Sequence, residues 1–154
     1  MDSDAAVTRA LVESIPVKSE PTASLADRVT VVVKDIFRTQ DRLLIRYSIQ
    51  NHGRVTYHAE VPQVVLLSEP RSPRSLIPLS FTQLNEKEAG RLSKKGEIEL
   101  EIIETEVTTK SIKPGEATVG VVSIKAIGES NDRAVIQLRF PPDRKGLVVA
   151  TMVL

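Results

Sequence analysis

Short segments in which apolar and polar residues alternate recur from Arg28 to Leu154, and each segment ends at Gly, Pro, Asn or Asp. Strict alternation places successive side chains on opposite faces of a pleated strand, so each segment predicts a strand that buries one face. Because no long helical pattern separates about seven to nine such segments, the sequence predicts an all-β fold, an antiparallel immunoglobulin-like β-sandwich. A chain of 154 residues can bury such a core within one domain.

The beginning of the chain lacks this alternation. Ser3 or Asp4 could cap a short helix, and the Pro- and Ser-bearing stretch that follows is typical of an extended linker. We therefore predict an N-terminal tail or linker over residues 1–27, with or without that helix. The β-sandwich domain is predicted over residues 28–154.

Local signals refine this outline. The capping-box pattern of Asn85–Glu88 predicts one short helix near residues 85–92, and Leu76–Phe81 predicts a short strand before it. The last strand, Leu147–Leu154, is apolar on both faces. Such a strand must be covered, either centrally in its own sheet or by another subunit, and we expect the first of these.

Two irregularities in the alternation predict specific geometry. After Gly96, five glutamates stay on the solvent face only if one extra residue is inserted near Ile102 and Ile103, which predicts a β-bulge there. Gly120 lies inside a strand that is apolar on both faces. A glycine at such a position predicts that another group approaches the backbone closely.

Composition excludes several classes of function. Lys plus Arg total 21 and Asp plus Glu total 20, so the net charge of +1 creates no field that would attract nucleic acid. Aromatic residues make up only 3% of the chain and offer few surfaces for base stacking, so we expect no nucleic-acid partner. The chain has no cysteine, which removes disulfides and zinc–thiolate sites but identifies no compartment.

The sequence leaves the cellular location open. No apolar run approaches the roughly 20 residues that cross a bilayer, so we expect no transmembrane segment. Met1–Asp4 lacks the basic and apolar regions of a signal peptide. The expected location is periplasmic or envelope-associated if a leader was removed from a longer chain, and cytoplasmic otherwise.

Residues that are typical of catalytic and metal sites occur without the necessary spacing. His52 and His58 share strand parity with Glu60, but on a straight strand the imidazoles would lie roughly 20 Å apart, too far for one ion. The glutamates of Glu97–Glu106 alternate towards solvent, whereas acid–base catalysis needs a carboxyl whose pKa is shifted by burial. We therefore predict that the chain is not an enzyme and has no metal site and no cofactor.

An edge strand is predicted where the chain stays extended but is interrupted by proline. Pro62 cannot donate to a ladder and favours an edge or a change of sheet, so Val55, Tyr57 and Val61 are candidates for binding a protein partner by strand addition. A second copy of this chain is the other candidate occupant of an edge strand, which would make a homo-oligomer.

The segment 71–95 is the most basic stretch, and the acidic strand follows it directly. Arg71 and Arg74 lie in its first loop and are candidates for binding a partner by electrostatic complementarity. The alternative, which we favour, is a solvated surface that keeps edge strands from pairing.

Two segments carry a resemblance to a known family. Asp41–Gly53 is a strand that closes in an Asn turn, and Ile112–Glu116 is a Lys-Pro-Gly-Glu turn before the strand Val119–Ile124. Both resemble bacterial immunoglobulin-like modules over about residues 28–154. Similar patterns occur in accessory domains of envelope proteins and in the C-terminal β-sandwich of outer-ring subunits of type IV secretion and conjugation channels. The resemblance implies an envelope location, binding of a short lipoprotein along a strand edge, and no catalytic residues.

The leading functional prediction is a non-catalytic interaction or assembly module that binds a protein partner by a strand edge or by end loops. One alternative is a hydrolase or small-ligand-binding sandwich that uses the Glu97–Glu106 strand and the basic segment 71–95. Another is a structural spacer domain of a larger protein. A buried cleft containing a glutamate of raised pKa would favour the hydrolase.

Overall fold

Two β-sheets face each other across an aliphatic core in this computed structural model, which describes residues 14–20, 26–125 and 134–154. The described chain forms these two sheets and a small two-stranded ribbon. In chain order the strands are β1 (Ile15–Pro16), β2 (Lys18–Ser19), β3 (Val29–Arg38), β4 (Arg42–Asn51), β5 (Tyr57–His58), β6 (Gln63–Ser68), β7 (Thr82–Leu84), β8 (Gly96–Leu100), β9 (Ile102–Val107), β10 (Ser111–Ile112), β11 (Ala117–Lys125), β12 (Val135–Asp143) and β13 (Gly146–Val153).

Pairing is antiparallel throughout the described strands, except between β2 and β7. The first sheet has the order β1-β3-β4-β11-β9, and the second has the order β2-β7-β13-β12-β6-β8. Strands β5 and β10 form the separate ribbon. The predicted all-β antiparallel sandwich is confirmed.

The core follows the two-residue alternation. In the β3–β4 hairpin, Val33, Ile45 and Tyr47 are at most 1% exposed, and their outward neighbours are more accessible. Burying one such aliphatic side chain stabilises the fold by about 1.5–3 kcal/mol. The last strand, β13, lies between β7 and β12, with Met152 and Val153 at most 1% exposed. Its predicted coverage within its own sheet is therefore confirmed.

The predicted close approach at Gly120 is also confirmed. Gly120 pairs directly with Tyr47 across the β4–β11 ladder. A Cβ added to Gly120 would lie 2.5 Å from both Cζ and Oη of Tyr47. The tyrosine ring therefore occupies the space that any side chain at Gly120 would need.

The acidic segment changes sheets at Glu101. Strand β8 pairs with β6 in the second sheet, whereas β9 pairs with β11 in the first. The register of β9 shifts where Ser123 opposes Glu104 and Ile124 opposes Ile102, so Ile103 is the extra residue. This confirms the predicted bulge, and the change of sheet was not foreseen.

The segment between β6 and β8 is only partly as predicted. Asn85 caps a helix, α1 (Glu86–Ala89), and its side chain accepts a hydrogen bond from the Glu88 N–H at 2.8 Å, which confirms the capping pattern. The predicted strand at Leu76–Phe81 is wrong, because Ile77–Leu79 forms a 3₁₀ helix. Proline in its first turn has the φ angle of a helix start and no N–H to donate to a sheet.

Residues 15–19, predicted to be an extended tail or linker, are extended and bridge the edges of both sheets. Strand β1 pairs with β3, and β2 pairs with β7. Between them the Val17 N–H donates to the Lys34 carbonyl at 2.9 Å, and the Lys18 N–H donates to the Phe81 carbonyl at 3.0 Å. The helix predicted from Ser3 or Asp4 lies outside the described residues, and the domain boundary at Arg28 stays a prediction.

Candidate partner-binding surface

The outer faces of the two sheets differ in what covers them. On the second sheet, the segment between β6 and β8 supplies Leu76, Leu79, Ala89 and Leu92, which pack over a small cluster of buried residues. The outer face of the first sheet instead holds an open groove of about 470 Å³. With the exception of Ser14, the described residues that line this groove belong to the strands of the first sheet.

Two cross-strand rows of side chains build this groove. In each row, strands β3, β4, β11 and β9 contribute one residue, and these residues are direct partners in the ladders. Because directly paired residues of an antiparallel sheet share a face, the rows run side by side across it. The upper row is Asp35, Arg46, Val121 and Glu106, and the lower row is Phe37, Leu44, Ser123 and Glu104.

Charge is distributed unevenly along the groove. At the β3–β4 end, Arg46 pairs with Asp35, with Nε and Oδ1 3.0 Å apart. The hydrogen bond to Asp35 raises the pKa of Arg46 above its usual value, although burial alone would lower it. At the β9 end, Glu104 pairs with Arg42 at 3.6 Å, and Glu106 forms no ion pair with any residue that the structure describes. The groove therefore becomes negative towards β9.

Ser123 places an unused polar group in the lower row. Its side chain is 3% exposed, and its Oγ has no hydrogen-bond partner among the described residues. A buried hydroxyl without a partner costs about 1–3 kcal/mol. Ser123 lines the groove between Leu44 and Glu104, so a shift of these neighbouring side chains would let a ligand polar group reach the covered hydroxyl.

Strand β9 is the last strand of the first sheet, and no other described strand pairs with its outer edge. The Thr108 N–H donates to the Val119 carbonyl at 3.0 Å, which makes this a hydrogen-bonded pair of the β9–β11 register. Because such pairs alternate along an antiparallel ladder, Glu104 and Glu106 direct their backbone groups towards β11. Thr105 and Val107 direct their N–H and C=O groups away from the sheet.

The same stretch of chain forms an edge of both sheets. Strand β8 is last in the second sheet and β9 is last in the first, so residues 96–107 run along one side of the sandwich. Glu99, Glu101 and Glu106 carry charges on this side and make no ion pair with a described residue. Acidic residues at alternate positions of two successive strands are the sequence signal that could have identified the edge.

At the opposite edge of the first sheet, the short strand β1 pairs with Asp35 and Ile36 of β3, and side chains bond the β3 backbone before them. The Gln83 amide donates to the Val31 carbonyl and accepts from the Val33 N–H, both at 2.7 Å, and so replaces a neighbouring strand. Asp143 accepts from the Val29 N–H at 3.0 Å in the same way. Strand addition at β3 would have to displace these bonds, whereas addition at β9 displaces no described group.

Of the predicted edge residues before Pro62, Tyr57 lies on the small ribbon, and Val55 and Val61 lie in the chain on either side of it. Val55 and Val61 are 42% and 57% exposed. Tyr57 is 6% exposed and its hydroxyl donates to the Pro141 carbonyl at 2.6 Å, so its ring belongs to the core. Burial, with smaller contributions from Asp143 and Glu60, raises the pKa of Tyr57. A partner at this ribbon would contact the backbone of Tyr57, and β5 offers only two residues.

The basic segment 71–95 is largely neutralised by its own neighbours. Arg74 contacts Glu20 at 2.6 Å and Glu88 at 3.4 Å. Arg71 joins the fold through its backbone, which exchanges hydrogen bonds of 2.8 and 2.9 Å with Ser93. Lysines at the end of the segment pair with glutamates as well. The structure does not bring Arg71 or Arg74 to the ribbon residues or to the groove.

The described histidines and carboxylates bear on whether the chain holds a metal or carries out acid–base catalysis. Nowhere in residues 14–20, 26–125 or 134–154 do three His, Cys, Asp or Glu residues meet in a way that could hold a metal ion. His58 is exposed, with its Nδ1 3.2 Å from the Ser111 hydroxyl. Hydrogen bonds from Arg139 and Lys94 lower the pKa of Glu97 to about 2, the opposite of what a general acid needs.

The described part of the chain contains no helix with the length and apolar character that spanning a bilayer requires.

Comparisons with known proteins add little to this geometry. No protein-family model matches the chain, and no curated protein sequence matches it. Among solved structures, the chain is similar to the archaellum periplasmic stator protein FlaG from Sulfolobus acidocaldarius. The two share 12% sequence identity over 80% of this chain and 99% of that chain, with a TM-score of 0.42. A likeness at this level assigns neither a family nor a function to the chain.

Proposed function

We propose that this protein is a non-catalytic interaction module that binds a protein partner by adding an extended segment of that partner to the free edge of β9. The observation that carries the proposal is the row of outward backbone groups at Thr105 and Val107, beside an open groove. Strand addition uses such groups for affinity and uses neighbouring side-chain positions for specificity.

The edge at β9 suits this role better than the ribbon at β5. Strand β9 spans Ile102–Val107 and is joined at Glu101 to a second edge strand, whereas β5 has two residues. Each added backbone hydrogen bond contributes about 0.5–1.5 kcal/mol net, so a longer edge supports a stronger complex. The proposed contact with the partner is therefore at residues 102–107, and not at Val55 and Val61.

The charge of this edge favours a different protein over a second copy. Two such edges side by side would bring like charges of Glu104 and Glu106 into opposition, which destabilises strand pairing. The glutamates also point to solvent, which supports binding rather than catalysis. The resemblance of the strands and turns to bacterial immunoglobulin-like modules supports an envelope-associated location within this proposal.

The test blocks the edge without disturbing the ladder. In Thr105→Pro, the ring removes the outward N–H that a partner would use, but the β9–β11 ladder does not depend on that N–H. The control Thr105→Val keeps the N–H and the β-branched shape. Peptides of about ten residues, long enough to span the edge, would be selected from a displayed random library against the wild-type chain. Their affinities would then be measured for wild type and both variants.

We expect the selected peptides to lose at least about tenfold in affinity for Thr105→Pro and to keep their affinity for Thr105→Val. Hydrogen exchange should slow at Thr105 and Val107 when a peptide binds, because their amides gain partners. Peptides that bind all three chains equally, protection at Val55 in place of Thr105, or a selection that yields no binder would each refute the proposal.

A further inference from the structure

We infer that the segment which adds to β9 is a basic strand, with Lys or Arg at every second position. This inference rests on the proposed function and names the chemistry of its partner. It follows from where Glu104 and Glu106 would lie in the complex and from the empty hydrogen-bonding position at Ser123.

The parity of β9 decides which partner residues face the glutamates. In an antiparallel addition, Thr105 and Val107 would form the hydrogen-bonded pairs with the new strand. Glu104 and Glu106 would then occupy non-hydrogen-bonded pairs, where directly opposed side chains are closest. Two partner residues on the groove face would therefore lie against these carboxylates.

The charges at these positions favour cations. Glu106 has no ion pair with a described residue, and Glu104 has only the 3.6 Å contact with Arg42, which is partly exposed. Glu99 and Glu101, further along the same edge, are also without a described cation. Opposite charges at directly paired strand positions stabilise the pairing and like charges oppose it. A strand with Lys or Arg at alternate positions fits this edge, and an acidic strand does not.

The groove provides a second reason for a long basic side chain. A strand added to β9 extends both rows, and neighbouring strands are about 4.8 Å apart. A Lys or Arg opposite Glu104 can therefore extend its aliphatic stem over the row towards Ser123, which lies one strand further in. Its charged head would donate to the Ser123 hydroxyl, which is 3% exposed and has no partner in the described structure.

The test compares three synthetic peptides of eight residues, a length that covers the edge. One alternates lysine and valine, one alternates glutamate and valine, and one has the lysines and valines in separate blocks. Each is titrated into the full chain at physiological salt, with fluorescence anisotropy as the readout. Binding should be tightest for the alternating lysine peptide and at least about tenfold weaker for the other two.

Protein variants then locate the contact. The double variant Glu104→Lys/Glu106→Lys should reverse the preference, so that the alternating glutamate peptide binds more tightly. The control Glu116→Lys makes a charge change of the same kind in an exposed turn away from the edge and should leave the preference unchanged. Ser123→Ala should weaken the lysine peptide by about threefold and leave the glutamate peptide unaffected.

The outcomes separate this inference from the function on which it rests. Equal binding of both alternating peptides, with both lost in Thr105→Pro, would leave strand addition standing and overturn the basic partner. An equal effect per altered residue of the Glu116 and Glu104/Glu106 changes would likewise overturn it, because the attraction would then come from net charge alone. If a peptide binds the wild-type chain and Thr105→Pro with the same affinity, that result would refute the proposed function itself.

Discussion

Replacing Gly120 with alanine is the sharpest test of how this sandwich is packed. A methyl group there would meet Tyr47 Cζ and Oη at 2.5 Å and Cε2 at 2.8 Å. Non-bonded carbon atoms prefer about 3.5–4.0 Å, so the ring must move by about 1 Å. Tyr47 is 1% exposed and contacts the Phe140 ring edge-on, with centroids 5.2 Å apart, so this movement disturbs the centre of the core.

The expected cost follows from two opposing effects. Forcing an extra methyl group into a packed core costs about 1–3 kcal/mol, and more where the neighbour cannot relax. Alanine recovers about 0.4–1 kcal/mol, because it restricts the unfolded chain more than glycine and the backbone at Gly120 is not left-handed. We therefore expect Gly120→Ala to lower the free energy of unfolding by about 2 kcal/mol and the Tm by about 4–8 °C.

Urea unfolding followed by circular dichroism measures this change, and two comparisons assign its cause. Gly96→Ala is the matched control, because its added Cβ would meet only the Ser68 Cβ at 3.8 Å, and we expect a change within about 0.5 kcal/mol. In a Tyr47→Val background the clash is absent, so Gly120→Ala should be neutral or stabilise the fold by up to about 1 kcal/mol, which gives a coupling energy of about 2–3 kcal/mol. A cost for Gly120→Ala as small as that for Gly96→Ala, or an absence of coupling, would refute the clash.

Two further predictions concern polar groups. Ser123→Ala should raise the free energy of unfolding by about 1 kcal/mol, because it removes a buried hydroxyl that has no described partner. Thr118→Val should lower the free energy of unfolding, because the Thr109 N–H loses the hydroxyl that accepts its hydrogen bond at 3.0 Å. A loss of stability in Ser123→Ala, measured by urea unfolding, would contradict the first of these expectations. The pKa of Glu97 in the folded chain is about 2, below its usual value of 4.5. The stabilising effect of this carboxylate is therefore complete above pH 4.5 and is lost as the pH falls from 4.5 towards 2. The urea midpoint should fall less steeply over this pH range in Glu97→Gln than in the wild type, and parallel curves would refute the pairing of Glu97 with Arg139.

Much of the layer structure could be predicted because it depends on local alternation. The two-residue period assigned Val33 and Ile45 to the core from sequence parity alone, without any knowledge of which strands pair. The extra residue near Ile103 was predictable for the same reason, since a change of parity within one strand requires an insertion. The contact at Gly120 was predictable because a glycine inside an apolar strand leaves room for another group to approach the backbone.

Segments whose conformation depends on distant contacts were harder to predict. Leu76–Phe81 has the composition of a strand. Instead, Leu76 and Leu79 pack against the buried cluster on the outer face of the second sheet, and Ile77–Leu79 forms a 3₁₀ helix. Tyr57 has the spacing of an edge residue, yet its hydroxyl reaches Pro141, which is distant in sequence. Local propensity cannot anticipate either outcome, because both depend on which surfaces the other strands leave uncovered.

The sequence by itself determined that this chain is a two-layer β protein, which residues face its core, and that its glutamates face water. Only the tertiary structure decided that residues 96–107 change sheets and form an edge of both, with the groove and Ser123 beside it. The physical reason is that side-chain alternation is a property of one strand, whereas an edge exists only where no other strand pairs. Strand order is set by long-range pairing, and so the candidate binding surface could not be located from the alternation.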